Sequence, residues 1–206
     1  MKKFIFTIAA AFVMGVAFTA CSKCSHDTEP TTEDTKTTQL INADKAYMDS
    51  VDSAYMYFET TYVFSGNVDT LTTPDVVELL SVFETVDTAK FDPTVYFAEH
   101  KLGETDSTSW DVKKGAFWLE DLDLREYEYK LTVEDAFEAL TKANVKKPQT
   151  KYCVLRAQLG PKRCNPQFIF GNEKTGMVFV DAVTGNVTTV NPVFVFDKAT
   201  RLTSTK

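Results

Sequence analysis

Histidine is scarce in this chain: two occur among 206 residues. His26 falls in a stretch rich in Thr, Ser and charge, which leaves His100 alone in the part able to fold. That part has no CxxC or HxxxH pattern, so no metal site is expected. A Cys–His nucleophile would have to combine His100 with Cys153 or Cys164, a spacing that offers no support. No catalytic residue and no cofactor are expected. Positive charge is also in short supply. The 22 Lys and Arg stand against 29 Asp and Glu, a formal net charge of -7, which argues against nucleic acid as a partner. The apolar run from Phe4 to Phe18 is about 15 residues long, short of the ~20 needed to span a bilayer. What is plentiful is core material, with 44% hydrophobic and 13% aromatic residues, enough for one or two domains.

Lys2 and Lys3 precede that uncharged run, which stops at small residues before Cys21, the pattern of a signal peptide over residues 1–20. "FTAC" at 18–21 resembles the bacterial lipobox, in which the cysteine is acylated and becomes the mature N-terminus. Cys21 is therefore the expected lipidation site. Cleavage after Ala17 or Ala20, releasing a soluble protein, is the alternative. Residues 21–40 read as the lipidated cysteine and a flexible tether, because from Ser22 to Gln39 the only apolar residue is Cys24. Such a tether holds a domain about 20–25 Å from lipid. The expected address is the cell envelope, anchored by lipid alone to the outer membrane and facing the periplasm, with the cell surface or secretion left open.

An oxidising compartment suits disulfides. Cys153 and Cys164 flank the "LGPKR" turn, and a disulfide stapling a hairpin there requires Cα atoms within about 7 Å. Two unpaired thiols are the other reading.

Helical spacing of Tyr47, Val51, Ala54, Tyr55 and Phe58 suggests an amphipathic helix over 42–59. "LTTPDVVELLSVF" carries Thr72 and Asp75 at capping-box spacing with Pro74 in the first turn, and "LTVEDAFEALTKA" repeats the spacing at Thr132 and Asp135. The offset is 60 residues, and the strand-like stretches after Asp92 and Lys147 align in the same frame. The expected fold class is α+β. It comprises an N-terminal helix and two tandem αβββ units, 41–130 and 131–206, with helices on one face of antiparallel sheets.

"FVDAVTGNV" at 179–187 reads as a hairpin turn. Asp181 accepts turn amides, Thr184 follows, and Gly185 or Asn186 supplies the positive backbone angle. Together with the helix positions Glu134, Asp135, Ala136, Ala139 and Leu140, this hairpin gives residues 131–190 a pattern that resembles the PepSY family. The resemblance implies an extracytoplasmic module related to peptidase propeptide and inhibitor domains, with a layered arrangement similar to the tandem β-lactamase inhibitor proteins. It implies no catalytic residue.

Helix-over-sheet packing leaves one sheet face for contact. Strand alternation places Tyr152, Arg156 and Gln158 on that face, with Tyr96 and His100 as their counterparts in the first unit, residue types suited to recognising a protein or peptide. Lys142 to Lys174 is strongly basic and 44–138 acidic, a contrast able to steer an acidic partner. Binding is the leading expectation. The alternatives are an envelope hydrolase using a carboxylate pair from "EDLDLREYEY" (120–129) and a non-catalytic subunit of an envelope assembly.

Overall fold

A computed structural model describes residues 35–119 and 121–195. The expected signal peptide, Cys21 and most of the expected tether lie outside the described residues. The chain opens with helix α1 (Lys36–Val51), whose first turn is capped by Thr35 accepting the amide of Thr38. Helical spacing buries Thr37, Ile41, Asp44 and Met48 along one stripe. Strands β1 (Met56–Phe64), β2 (Val76–Asp87), β3 (Asp92–Lys101) and β4 (Ser107–Lys114) come next as a meander. After a two-residue β5 (Asp121–Leu122) and a 3-10 turn comes helix α2 (Val133–Lys142). A reciprocal capping box between Thr132 and Asp135 starts α2. A second meander completes the fold: β6 (Tyr152–Gln158), β7 (Gln167–Asn172), β8 (Gly176–Asp181) and β9 (Val187–Thr188).

These strands form one antiparallel sheet of nine, in the order β4-β3-β2-β1-β6-β7-β8-β9, with β5 paired to the end of β6. The expectation of two αβββ units is thereby corrected: among the described residues a single sheet carries only two α-helices, an architecture closer to all-β than to α+β. The stretch 71–83, expected to open the first unit as a helix, instead runs into β2 from Val76. The expected helix over 42–59 ends at Val51, and Met56 already belongs to β1. Residues 36–40, expected as tether, are helical. Strands from either side of residue 130 hydrogen-bond to each other, since Glu59 to Val63 of β1 pairs with Arg156 to Tyr152 of β6.

Both helices contribute to one buried cluster on the same sheet face. Its floor is the inward set Tyr57, Tyr62, Phe64, Leu79, Phe83, Leu155, Phe168 and Phe170. Phe137 of α2 packs on Phe64 and Phe170 at ring-centroid distances of 5.8 and 6.5 Å. Burying each such ring contributes about 1.5–3 kcal/mol. A register shift between Tyr57 and Glu59 is a β-bulge, which restores the inward direction for Thr60, Tyr62 and Phe64. Gly171 (φ +90) sits in β7 where a Cβ would strike the Gly176 carbonyl and Pro148, so a larger residue is excluded.

Candidate functional site

Among the described residues the opposite, outward face carries no α-helix. Pairing register lays its side chains in rows across the sheet. One row reads Thr188, Phe179, Ile169, Val154, Thr61, Leu80, Glu99, Ser109. The next reads Asp181, Gln167, Arg156, Glu59, Val82, Phe97, Asp111. Two irregular segments lie across the part of this face where β2 and β6 end. In the first, Trp118 donates its backbone N–H to Glu84 at 2.6 Å, its indole N–H to Asp121 at 3.2 Å, and meets Phe97 edge-on at 6.1 Å. In the second, Pro192 shares a cavity with Gln167 and Asp181, and Val193 closes against Gly160.

Under these segments sits a charged cluster. Arg156 donates through Nε to Asp121 Oδ1 at 2.6 Å and lies 3.8 Å from Glu59. Glu59, Glu84, Asp121 and Gln167 are all buried. Burial lifts the Glu84 carboxyl above the usual range, and the Trp118 amide offsets part of that shift. Each described member of the cluster is engaged by a neighbour, so the arrangement fastens chain to sheet. The outward face is wet only in its other part. There Tyr152 is 53% exposed. It is paired across the seam with Val63, which lies opposite Glu78, itself opposite Lys101.

The expected partner-binding residues therefore divide. Tyr152, Arg156 and Gln158 face outward, Arg156 as a strut with its side chain 22% exposed and Gln158 with its Oε1 buried and unpartnered. Tyr96 and His100 point to the helix side, because their partners in register are Phe83 and Leu79 of the core. His100 is buried, with Nε2 2.9 Å from both Asp44 oxygens and Nδ1 2.9 Å from Thr108 Oγ1. A carboxylate, an imidazole and a hydroxyl in line form the skeleton of a nucleophilic triad. Here the ring is sealed between α1 and the sheet, and the chain ties helix to β3 and β4. Sequence reasoning missed this tie, although an aspartate at the centre of an otherwise buried helical stripe was its signal.

Asp181 accepts the amides of Val183 and Thr184, both at 2.9 Å, and the Asn165 side chain. Burial pushes its carboxyl upward, but these bonds outweigh that and hold it below the usual aspartate range. Gly185 supplies a φ of +73 and Asn186 closes the turn to the Asp181 amide. Cys153 and Cys164 are free thiols, and no disulfide joins them. Cys153 pairs with Phe170, at the far end of the hairpin from the loop that holds Cys164; at about 3.3 Å per residue the two lie beyond disulfide reach. Burial raises the Cys153 thiol well above the ordinary range. Among the described residues, no group of three or more His, Cys, Asp or Glu is placed to hold a metal ion, and no helix is long and apolar enough to cross a membrane.

Compared with models of known protein families, with curated proteins and with solved structures, the chain matches none.

Proposed function

We propose that this protein is a binding module of the cell envelope, held to a membrane through lipid on Cys21, that engages a protein or peptide partner with the open part of its outward sheet face. The observation that carries the reading is Tyr152: a large aromatic, 53% exposed, rooted in a central strand of a rigid sheet. Aromatic side chains fixed in this way are the usual anchors of protein recognition. The half-buried apolar residues Val63 and Val154 surround it and the charged Glu78 and Lys101 rim it, an arrangement that suits a polypeptide better than a small molecule. The likeness of residues 131–190 to PepSY modules favours a role resembling that of an inhibitor or propeptide. Against a carboxylate-based hydrolase stands the commitment of Glu59, Glu84 and Asp121 to Arg156 and Trp118.

The test is affinity capture from solubilised envelopes with wild type, Tyr152→Ala and, as a control on the helix side, Tyr47→Ala, which alters an aromatic of similar exposure. The expected result is one specific partner that wild type and Tyr47→Ala retain and Tyr152→Ala loses. Equal capture by all three overturns the reading.

A further inference from the structure

The sheet has two edges, and they are unlike. At one, β9 offers only the two residues Val187–Thr188. At the other, β4 runs for the eight residues Ser107–Lys114 without a proline, in unbroken register with β3. Helix α1 packs chiefly on β2, two strands in, and every residue of β4 except Trp110 is exposed. Of the devices that keep an edge from pairing (shortness, proline, a bulge, a cover, charge), β4 has among the described residues only the last.

The free backbone groups of that edge follow from the ladder. The Gly115 N–H donates to the Pro93 carbonyl at 2.7 Å, and the β3–β4 register, continued by one step, sets these residues directly opposite. A bond between directly opposed residues marks a hydrogen-bonded pair, and in an antiparallel ladder such pairs recur at every second residue. Lys113 with Val95 and Asp111 with Phe97 are therefore bonded pairs. Thr108, Trp110, Val112 and Lys114 turn their N–H and C=O away from β3. Leu102 N–H, donating to Val77 of the β2 side at 2.8 Å, shows the complementary phase. Among the described residues no group bonds the edge-directed amides and carbonyls of β4.

The charges on β4 fit a second β4. They are Asp111, Lys113 and Lys114. Asp111 and Lys113 share the outward face, 4.0 Å apart and both largely exposed, with Lys113 also 4.6 Å over the Phe97 ring. When two copies pair antiparallel about a two-fold axis through Val112, Asp111 of each copy stands opposite Lys113 of the other. On the helix side Trp110 stands opposite Lys114, and Val112, 45% exposed, opposite itself. The same axis puts Trp110, Val112 and Lys114 in bonded pairs, the phase that the free groups require. An axis through Asp111 or Lys113 sets like charges face to face, and one through Trp110 sets both charges against serines. We propose that β4 is a homodimerisation edge, where two copies of the chain join about Val112 into one continuous sheet with their helices on the same side. A strand-edge interface is small, so the dimer dissociates on dilution and weakens as salt screens the paired charges. It does not use Tyr152 and is independent of the docking assigned to the outward face.

The experiment is oxidation of a Val112→Cys variant of the full chain, purified in excess detergent, beside wild type and Ser107→Cys, an exposed control at the end of the same strand. Cα atoms of a bonded pair lie about 5.5 Å apart, within disulfide reach. Val112→Cys is expected to give covalent dimer in about tenfold excess over either control. In that background Asp111→Lys or Lys113→Asp cuts the yield by about tenfold, and the two together restore it, with an unchanged circular dichroism spectrum throughout. Val112→Pro, tolerated where the N–H faces away from the ladder, leaves a monomer in sedimentation under conditions where wild type dimerises, and decides alone should Val112→Cys not fold. Equal trapping at positions 112 and 107, indifference to charge reversal, or a wild type that sediments as a monomer at every concentration overturns the proposal. So does Val112→Cys bonded to Cys24 of its own chain or to a co-purifying protein, either of which gives the edge to a different occupant.

Discussion

The inward rows of the sheet end in rings such as Phe64, Phe83 and Phe170, packed beneath two α-helices, whereas the outward rows carry Glu59, Glu84 and Arg156 beneath an irregular segment and one with a single 3-10 turn. One side is closed by many weak, non-directional contacts, and the other by a few directional bonds between buried charges. The first mode spreads its energy over dozens of atoms; the second concentrates it in single side chains whose loss leaves a partner stranded. The sheet is thus robust on one side and locally brittle on the other. The surface proposed for binding is the open part of the brittle side.

The largest expected effect tests the robust side. Phe137→Ala removes the ring that joins α2 to Phe64 and Phe170, and should cost about 3–5 kcal/mol in urea unfolding; a loss under about 1 kcal/mol would show that the helices are not the main cover. Next comes the outward cluster. Arg156→Ala removes the guanidinium bonded to Asp121 and close to Glu59 and should cost about 2–3 kcal/mol, below the range for fully buried pairs because the side chain is partly exposed. Recovery of part of that loss in Arg156→Ala/Asp121→Asn would sharpen the contrast, because no such recovery is expected for any partner of Phe137.

Asp181 gives a pH-dependent comparison. Its folded pKa is depressed, so its contribution is complete above the unfolded value of about 3.9 and is lost as pH falls through the folded value. Asp181→Asn should therefore be less stable than wild type near neutrality by about 1 kcal/mol, and the gap should close on acidification; parallel curves would exclude the turn bonds as the cause. Glu84 carries the opposite sign. With its folded pKa raised, it opposes folding above that value, so Glu84→Gln, still able to accept the Trp118 amide, should raise Tm slightly at neutral pH and lose the advantage in acid. Tyr152→Ala should be smallest of all, within about 0.5 kcal/mol in stability, while abolishing partner capture.

The inward side was partly legible in the sequence and the outward side was not. Thr132 and Asp135 mark α2, and the identical spacing at Thr72 and Asp75 precedes a strand. The residues after each signature decide the outcome: "VEDAFEALTK" has only Val133 and Thr141 as β-branched residues, near its two ends, while "VVELLSVFETVD" carries four valines and a threonine, which favour strand. In β2 the inward Leu79 and Phe83 alternate with outward Leu80 and Val82, apolar as well because that face is itself partly roofed. Apolar residues on both faces erase the two-residue period, and Val76, Leu79, Leu80 and Phe83 then mimic a helical stripe. The sequence puts Tyr96 and His100 on the wrong face for the same reason, since the alignment that places them presumes a helix before them. Tyr152 and Arg156, by contrast, alternate strictly with the core residues Cys153 and Leu155. The roofing by Trp118 left no sequence trace, because a backbone N–H reaching a carboxylate 34 positions away has no local pattern.

Joining β1 to β6 also imposes an order of events on the nascent chain. Residues 59–63 pair with β2 early but find their second set of partners only at 152–156, so the first meander must wait with its first strand unpaired on one side until three quarters of the polypeptide has emerged. During that interval an aromatic-rich strand edge stands exposed to other unfolded chains. A holding chaperone acting on the unfinished chain would meet its most urgent substrate at Tyr57 to Phe64.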